Sequence, residues 1–265
     1  MTGISRPAAV RRTAESRQYA PVVTAMPTSS ASPEPRVGIW ARLAVIPILW
    51  FSAALALTID MPVARFWRSV KTPGFVVDIL ESGESFGNGA GVVLLILIIY
   101  RLGVIGPRQI PRFAMASLGS GLVADSFKLI IARTRPRELS TQQSILETFG
   151  DWWPSYKAAT GWQSFPSAHV ATAVGLACAL SYVYPRGRWV FGSLAVLVAV
   201  QRQQTGAHFV SDTLAGAAIA WGAVMVLYHA PLFSTLLNRL EGFSSNGAPS
   251  TASVPSGVPA PHHAG

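Results

Sequence analysis

Long apolar stretches separated by short polar ones run through the chain from about residue 38 to residue 232. Each approaches the ~20 residues that a helix needs to cross the hydrocarbon core of a bilayer. The pattern predicts an all-α, polytopic membrane protein with six transmembrane helices, at residues 40–59, 87–102, 111–132, 167–184, 187–206 and 208–229. Tails rich in Pro, Ala and Ser flank this membrane domain of residues 38–232, and we expect residues 1–37 and 243–265 to be disordered.

The segment between the first two predicted spans, residues 60–85, has a different character. Asp60 precedes Pro62 in a pattern typical of a helix start. The residues that follow suit a helix that lies in the membrane interface, since aromatic and basic side chains occur together there: Arg65, Phe66, Trp67 and Arg68. We therefore predict an interfacial helical segment between spans one and two.

Composition agrees with a membrane location. Half of the 265 residues are hydrophobic and 12% are charged, whereas soluble domains carry about a quarter charged residues. The net charge of +9 comes without a basic helix, a zinc pattern or an RNA-binding motif, so we expect no nucleic-acid partner. Cys178 is the only cysteine, which excludes an intrachain disulfide and a cysteine-based metal site.

Three polar segments interrupt the apolar pattern, at residues 128–136, 166–169 and 201–212. Six spans place both termini on one side of the membrane. The short loop between spans two and three and the turn around Arg186 and Arg188 are basic, which favours the cytoplasm for that side. All three polar segments then lie together on the extracytoplasmic face of the cell membrane.

The cations in these segments predict an anionic ligand. Lys128, Arg135 and Arg202 have no matching set of acids nearby in the sequence, and ionisable groups at membrane depth are usually functional. Guanidinium groups suit phosphate oxygens. Ser167 stands at a predicted helix start, where its hydroxyl and the backbone N–H groups of residues 167–169 would face an anion. Arg133 lies inside the first segment and Arg137 directly after it, and a second phosphate contact, a lipid-headgroup contact or a solvated loop would each fit them.

Two histidines add reactive groups to the same segments. His208 and Asp212 are four residues apart, so on a helix the carboxylate is expected to hydrogen-bond and orient the imidazole. One of the two histidines, His169 or His208, would attack phosphorus while the other protonates the leaving oxygen. Asp125, three residues before Lys128, is expected to position or neutralise that lysine.

These residues carry a family resemblance. Lys128-x6-Arg135-Pro136, Pro166-Ser167-Ala168-His169 and Arg202-x5-His208-x3-Asp212 resemble the three-part signature of the type 2 phosphatidic acid phosphatase (PAP2) superfamily, in its membrane-bound lipid phosphatase branch. The resemblance covers about residues 40–228. It implies a six-helix fold and a metal-free, cofactor-free reaction at the outer leaflet.

The resemblance also implies a role for each matching residue. His208 would be the nucleophile, Asp212 its orienting partner and His169 the general acid, with the phosphoryl group held by Lys128, Arg135, Ser167, Ala168 and Arg202. Two positions depart from the family pattern, because Gln201 stands where serine is usual and Ala168 where glycine is usual. We expect Ala168 to need no positive φ, since it lies at a helix start.

The leading hypothesis is an integral membrane phosphatase that removes the terminal phosphate of a lipid phosphate or diphosphate through a phosphohistidine. A phosphotransferase on the same scaffold differs only in the acceptor of the second step. A transporter or non-enzymatic binding protein would use the same cations without reaction. The expected partners are a lipid phosphate and membrane lipids, and no motif identifies the lipid or an oligomeric state.

Overall fold

The computed structural model describes residues 38–140, 144–152 and 160–241, so both predicted tails lie outside the described residues. The described part is mostly helical, as predicted. Its α-helices are α1 Ile39–Ser69, α2 Gly74–Glu84, α3 Gly89–Arg101, α4 Ile110–Ala114, α5 Ser120–Phe127, α6 Ala168–Val183, α7 Arg188–Gln204, α8 Val210–His229 and α9 Pro231–Glu241. A π-helical turn, Met115–Gly119, joins α4 to α5.

Several of these helices have the length and apolar character of membrane spans. Within the described residues, α1 and α8 are each long and apolar enough to cross a bilayer. The pair α2 and α3 would supply a third crossing, although its two halves meet at 67°. Helix α6 is apolar but shorter. Large apolar side chains on α1, such as Phe51 and Leu55, are exposed, as expected where lipid replaces water.

Small residues let the central helices approach closely. Helix α8 packs along α1 and α6, and α6 also contacts α7 and the π-helical turn. A Cβ on Gly175 of α6 would lie 1.9 Å from the Ala116 carbonyl oxygen, and one on Gly216 of α8 would lie 2.4 Å from that of Ser167. Glycine is therefore required at both positions, because no side chain fits between the backbones. The contact at Gly216 fixes the start of α6 against α8.

The predicted helix start at Asp60 is wrong. Helix α1 continues through Asp60 and Pro62 to Ser69, and the interfacial segment of residues 60–85 is divided between the end of α1 and the separate helix α2. Asp60 caps no helix start. Its carboxylate is fully buried and accepts hydrogen bonds from Arg133 and Ser211, which are remote in sequence.

The third predicted span ends earlier than expected. Helix α5 stops at Phe127, and Ile131–Arg133 forms strand β1, which pairs antiparallel with β2, Phe149–Trp152. The all-α prediction is thus wrong at this small hairpin, where β-branched and aromatic residues find a partner strand. Helix α9 follows the sixth predicted span in a region for which the apolar pattern predicts no helix. The helices expected at residues 167–184, 187–206 and 208–229 are present as α6, α7 and α8, each slightly shorter.

Candidate active site

Backbone hydrogen bonds join the three polar segments of the sequence. The Ser164 N–H donates to the Arg133 carbonyl, and the Ser167 N–H donates to the Asp212 carbonyl, both over 3.0 Å. The Arg137 N–H donates to the carbonyl of Gly206, which has a positive φ of 63°. A Cβ at Gly206 would lie 3.1–3.4 Å from Arg137, so this turn needs glycine both for its backbone angle and for space. The predicted convergence of the three segments is therefore present.

His208 lies in the loop before α8 and is 4% exposed. Its Nδ1 is 2.5 Å from the carbonyl oxygen of Ser164. A carbonyl only accepts, so Nδ1 carries the hydrogen and Nε2 keeps its lone pair. Burial, with the nearby charges of Lys128 and Arg135, holds the pKa of His208 well below its usual 6.5, against the opposing effect of the Ser164 hydrogen bond. The imidazole is consequently neutral near pH 7.

The expected hydrogen bond between Asp212 and His208 is absent. Asp212 Oδ2 is 3.9 Å from His208 Nδ1, too far for a hydrogen bond. Helix α8 begins at Val210, so His208 is outside it and the spacing of four residues does not place the two side chains together. Asp212 Oδ2 instead accepts from the Phe209 N–H at 2.8 Å and from Ser164 Oγ at 2.6 Å. Asp212 reaches His208 indirectly, through Ser164.

The three predicted cations differ in their partners. Lys128 lies just after α5 and pairs with Asp125 at 2.7 Å, as predicted. Arg202 lies in the last turn of α7 and pairs with Glu84 of α2 at 2.8 Å. Each of these two cations therefore has an acidic partner in the structure. No local pattern marks Glu84 as a partner, because it lies 118 residues from Arg202 in the chain.

Arg135 is the exception among the three. Its Nε is buried and has no hydrogen-bond partner in the described part of the chain. Burial, with the charges of Arg137 and Arg202 close by, lowers the pKa of its guanidinium. Glu138, which acts in the opposite direction, forms its ion pair with Arg137. A buried guanidinium N–H without a partner is a donor that an anionic ligand would satisfy.

His169 and Ser167 occupy the first turn of α6. His169 is partly buried and lies within the electrostatic reach of Arg202, Glu84 and Lys128. A Cβ on Gly87 would lie 2.7 Å from the His169 carbonyl oxygen, so Gly87 makes room for this turn. Ser167 is the N-cap, and its Oγ accepts a weak bond of 3.4 Å from the Val170 N–H.

The two substituted positions of the motifs also have structural accounts. Ala168 is the first residue of α6, and the described residues include no non-glycine residue with positive φ, so the expected conformation of this loop is confirmed. Gln201 is buried, donates to Glu84 at 3.3 Å and accepts from Arg202 Nε. Gln201 therefore helps to orient the Arg202 guanidinium, because it binds both Arg202 and its ion-pair partner Glu84.

Arg133 and Asp60 are the residues that sequence reasoning misjudged. Arg133 is fully buried, and ion pairs join it to Asp60, at 2.8 Å, and to Asp212. Its guanidinium is also held between the rings of Phe149 and Phe209. Because Arg133 is buried and paired with two carboxylates, it neither forms a second phosphate site nor lies in a solvated loop. The available signal was Asp60 itself, a carboxylate inside an otherwise apolar helix, which implies a buried partner.

The PAP2 superfamily profile matches residues 110–235, which include all three motifs. A lipid A 1-phosphatase of Rhizobium johnstonii is 31% identical over 119 residues, which make up 43% of this chain and 44% of that protein. The matched region is thus less than half the length of that relative. A lipid A 1-phosphatase of Rhizobium etli is 25% identical over 199 residues, 65% of this chain and 82% of that protein.

A solved structure has a similar fold. The crystal structure of a transmembrane PAP2-type phosphatidylglycerolphosphate phosphatase from Bacillus subtilis aligns with a TM-score of 0.52 at 17% identity, covering 78% of this chain and all of that one. At this identity the similarity concerns the fold alone. The profile match, together with the two lipid A 1-phosphatase relatives, identifies residues 110–235 as a PAP2 superfamily region.

Proposed function

We propose that this protein is an integral membrane phosphatase that hydrolyses the terminal phosphate of a lipid phosphate or diphosphate through a phosphohistidine at His208. The observation that carries this proposal is the arrangement around the His208 imidazole. The ring is neutral, its Nδ1–H is bound to Ser164, and the cations Lys128 and Arg135 act on it from nearby. A free Nε2 lone pair beside two cations suits attack on a bound phosphoryl group.

The proposed reaction has two half-steps. His208 Nε2 forms a bond to phosphorus while the bond from phosphorus to the leaving oxygen breaks, and His169 gives that oxygen a proton. Lys128, Arg135 and Arg202, with the first turn of α6, hold the phosphoryl oxygens. His169 then takes a proton from water, whose oxygen attacks phosphorus as the N–P bond breaks. Inorganic phosphate leaves and the electron pair returns to Nε2.

The Ser167 backbone N–H takes no part in holding the phosphate in this proposal. It already donates to the Asp212 carbonyl, so the helix start offers the N–H groups of Ala168 and His169 instead. Ser167 Oγ accepts only the 3.4 Å bond from Val170 and keeps its own hydrogen for a phosphoryl oxygen. This narrows the predicted contribution of the second motif to the serine hydroxyl and two backbone donors.

A lipid substrate is supported by the apolar groove beside the site. The groove has a volume of about 520 Å³ and opens between α1, the π-helical turn, α5, α8 and α9. Its lining is almost entirely apolar and includes Ile46, Trp50, Phe127, Ile219, Gly222 and Phe233. Phe127 directly precedes Lys128, so we propose that an acyl chain of the substrate lies in this groove. The names of the two Rhizobium relatives make lipid A the first phosphate donor to test.

The finer topology is also part of the proposal. Six crossings, made by α1, the α2–α3 pair, the α4–α5 segment, α6, α7 and α8, would place both termini in the cytoplasm and the site outside. A cysteine introduced at residue 145, in a Cys178→Ser background, should then react with an impermeant maleimide in intact cells, and one introduced at residue 108 should not. The opposite labelling pattern would contradict this orientation.

The decisive experiment measures phosphate release by purified protein from lipid A, phosphatidate, phosphatidylglycerol phosphate and undecaprenyl diphosphate. We expect turnover of at least one of these lipids, and a radiolabelled, alkali-stable phosphoprotein on rapid quenching. His208→Ala should abolish both signals, because it removes the only proposed nucleophile. Turnover by His208→Ala would rule out the phosphohistidine.

Metal independence is tested in the same assay. The described residues contain no cluster of three or more His, Cys, Asp or Glu side chains arranged to hold a metal ion. Phosphate release should persist in EDTA and be inhibited by orthovanadate, which resembles the five-coordinate phosphoryl transition state. Activity that disappears in EDTA and returns with Mg²⁺ would contradict a metal-free mechanism.

A further inference from the structure

A buried ion cluster lies directly behind the proposed nucleophile. It consists of Asp60 on α1, Arg133 on β1, and Ser211 and Asp212 on α8, all at most 1% exposed. Arg133 Nη2 donates to Asp60 Oδ2 at 2.8 Å, while Arg133 Nη1 donates to Asp212 Oδ1 and, at 2.7 Å, to Ser211 Oγ. The Ser211 N–H donates to Asp60 Oδ1 at 2.9 Å. One guanidinium therefore bridges two carboxylates from two helices.

This cluster fixes the position of Ser164, whose carbonyl oxygen binds His208. The Ser164 N–H donates to the Arg133 carbonyl at 3.0 Å, and Ser164 Oγ donates to Asp212 Oδ2 at 2.6 Å. The remaining Ser164 group, its carbonyl oxygen, accepts from His208 Nδ1. The hydrogen-bonding groups of Ser164 thus connect the cluster to the imidazole. A shift of Arg133 or Asp212 must move the acceptor of His208.

Asp60 has a second effect, on charge. The cluster places two carboxyl groups around one guanidinium, so it contains one more acidic group than basic groups. Without Asp60, Arg133 and Asp212 would neutralise each other. Phosphorylation of His208 on Nε2, with Nδ1 still protonated, makes the ring cationic. Asp212 Oδ2 lies 3.9 Å from Nδ1, close enough for its carboxylate to stabilise that cation.

We propose that Asp60 and Arg133 are positioning residues for the phosphoryl-transfer step, acting through Asp212 and Ser164 on the His208 imidazole. This inference rests on the proposed function, since it assigns a role within that reaction. Neither residue touches the substrate. Arg133 is enclosed by its partners and by two aromatic rings, and Asp60 reaches the site only through Arg133 and Ser211.

The test compares the rate and the amplitude of phosphohistidine formation under single-turnover conditions. Asp60→Asn keeps the shape of the side chain and removes its charge. We expect the rate constant for labelling to fall about 10–100-fold, the range typical of residues that orient a reactive group. The labelled fraction and KM should stay close to those of the wild type. A purely structural role would lower the labelled fraction and leave the rate constant unchanged, and that result would overturn the proposal.

Two further variants keep the test decisive. Ser211→Ala removes only the hydroxyl that bridges Asp60 and Arg133, so it should slow labelling by about fivefold even if Asp60→Asn fails to fold. Arg112→Gln is the matched control, because Arg112 is also buried but donates outside the cluster, to Asn238 at 2.8 Å. It should lower thermal stability without changing the rate constant. An unlabelled wild type would instead contradict the proposed phosphohistidine, independently of Asp60.

Discussion

Arg133 and Arg135 are two residues apart, yet they differ in everything except charge. Arg133 is fully buried and directs its guanidinium to Asp60, Asp212, Ser211 and Thr148. Arg135 has an Nε with no partner in the described part of the chain and has other cations for neighbours. The first arginine is already neutralised by protein groups. The second needs an anion from outside.

The difference divides the site into a back and a front. Behind His208, the charged side chains are paired with each other and buried, so substitutions there should alter folding and the placement of the imidazole. In front of it, cations and His169 face the space for the phosphate, so changes there should alter binding and chemistry. The motif spacing singles out Arg135 but leaves the role of Arg133 open, and the partners of Arg133 show that it belongs to the back of the site.

The largest expected effect is at the front. His169→Ala should reduce hydrolysis of a lipid monophosphate about 10²–10⁴-fold, the usual contribution of general acid catalysis. The loss on p-nitrophenyl phosphate should be much smaller, because its phenolate leaves without help. The measurement is the ratio of mutant to wild-type rates on both substrates in one detergent. Equal losses on the two substrates would remove His169 from the role of leaving-group acid.

At the back, Arg133→Gln should mainly destabilise the fold. It leaves two buried carboxylates without their counter-charge, and breaking a buried pair in this way costs about 3–5 kcal/mol. Thermal unfolding in detergent should show a large decrease in Tm for this variant. A Tm equal to that of the wild type would mean that the two carboxylates find other partners or take up protons.

Arg135→Gln is the matched change at the front. It removes a charged donor expected to contact the phosphoryl group, so activity should fall about 10²–10³-fold. Its Tm should stay equal to or above that of the wild type, because a partly buried cation whose Nε has no partner adds little to stability. If Arg135→Gln lowered Tm as much as Arg133→Gln, the division into front and back would fail.

The smallest expected effect concerns the groove. Gly222 lines it and has room for a side chain, since a Cβ at this position would lie 4.0 Å from its nearest neighbour, on Ile46. Gly222→Leu should displace about two methylenes of a bound acyl chain, at ~0.8 kcal/mol each, and so lower kcat/KM for a long-chain lipid phosphate about 15-fold. Activity on p-nitrophenyl phosphate should not change.

Gly192→Leu is the control for that variant. Gly192 lies on α7, outside the groove, and a Cβ there meets no atom within 4 Å. This substitution should leave both substrates unaffected. Equal losses on lipid and aryl phosphate in Gly222→Leu would indicate a distorted site rather than a blocked acyl chain.

Sequence reasoning succeeded where a short motif and an apolar run were enough. The helices α6, α7 and α8, the convergence of the three polar segments and the Asp125–Lys128 pair all depend on local spacing. It failed where partners are far apart in the chain. The neighbours of Asp60 in the sequence favour a helix start, whereas its actual partners are 73 and 151 residues away.

The predicted direct hydrogen bond between Asp212 and His208 is absent for a related reason. A spacing of four residues places two side chains together only if both lie on the helix, and His208 lies outside it. The sequence does not reveal where α8 begins, because its N-cap residue, Phe209, has no side chain that can cap a helix. Asp212 supplies the cap instead, since its carboxylate accepts from the Phe209 N–H. A carboxylate already committed to a helix start and to Arg133 is not free to bind the imidazole.

The position of Asp60 also has a consequence for biogenesis. Helix α1 leaves the ribosome before the other described helices, carrying a buried carboxylate that has no partner within its own helix. Its partners are synthesised later, Arg133 after 73 residues and Ser211 after 151. Helix α1 therefore reaches its final state only when α8 has been inserted beside it. The last of these partners is thus supplied by a helix that is synthesised late. We expect a chain interrupted before residue 211 to leave the Asp60 carboxylate without its Ser211 partner, a defect that membrane quality control could recognise.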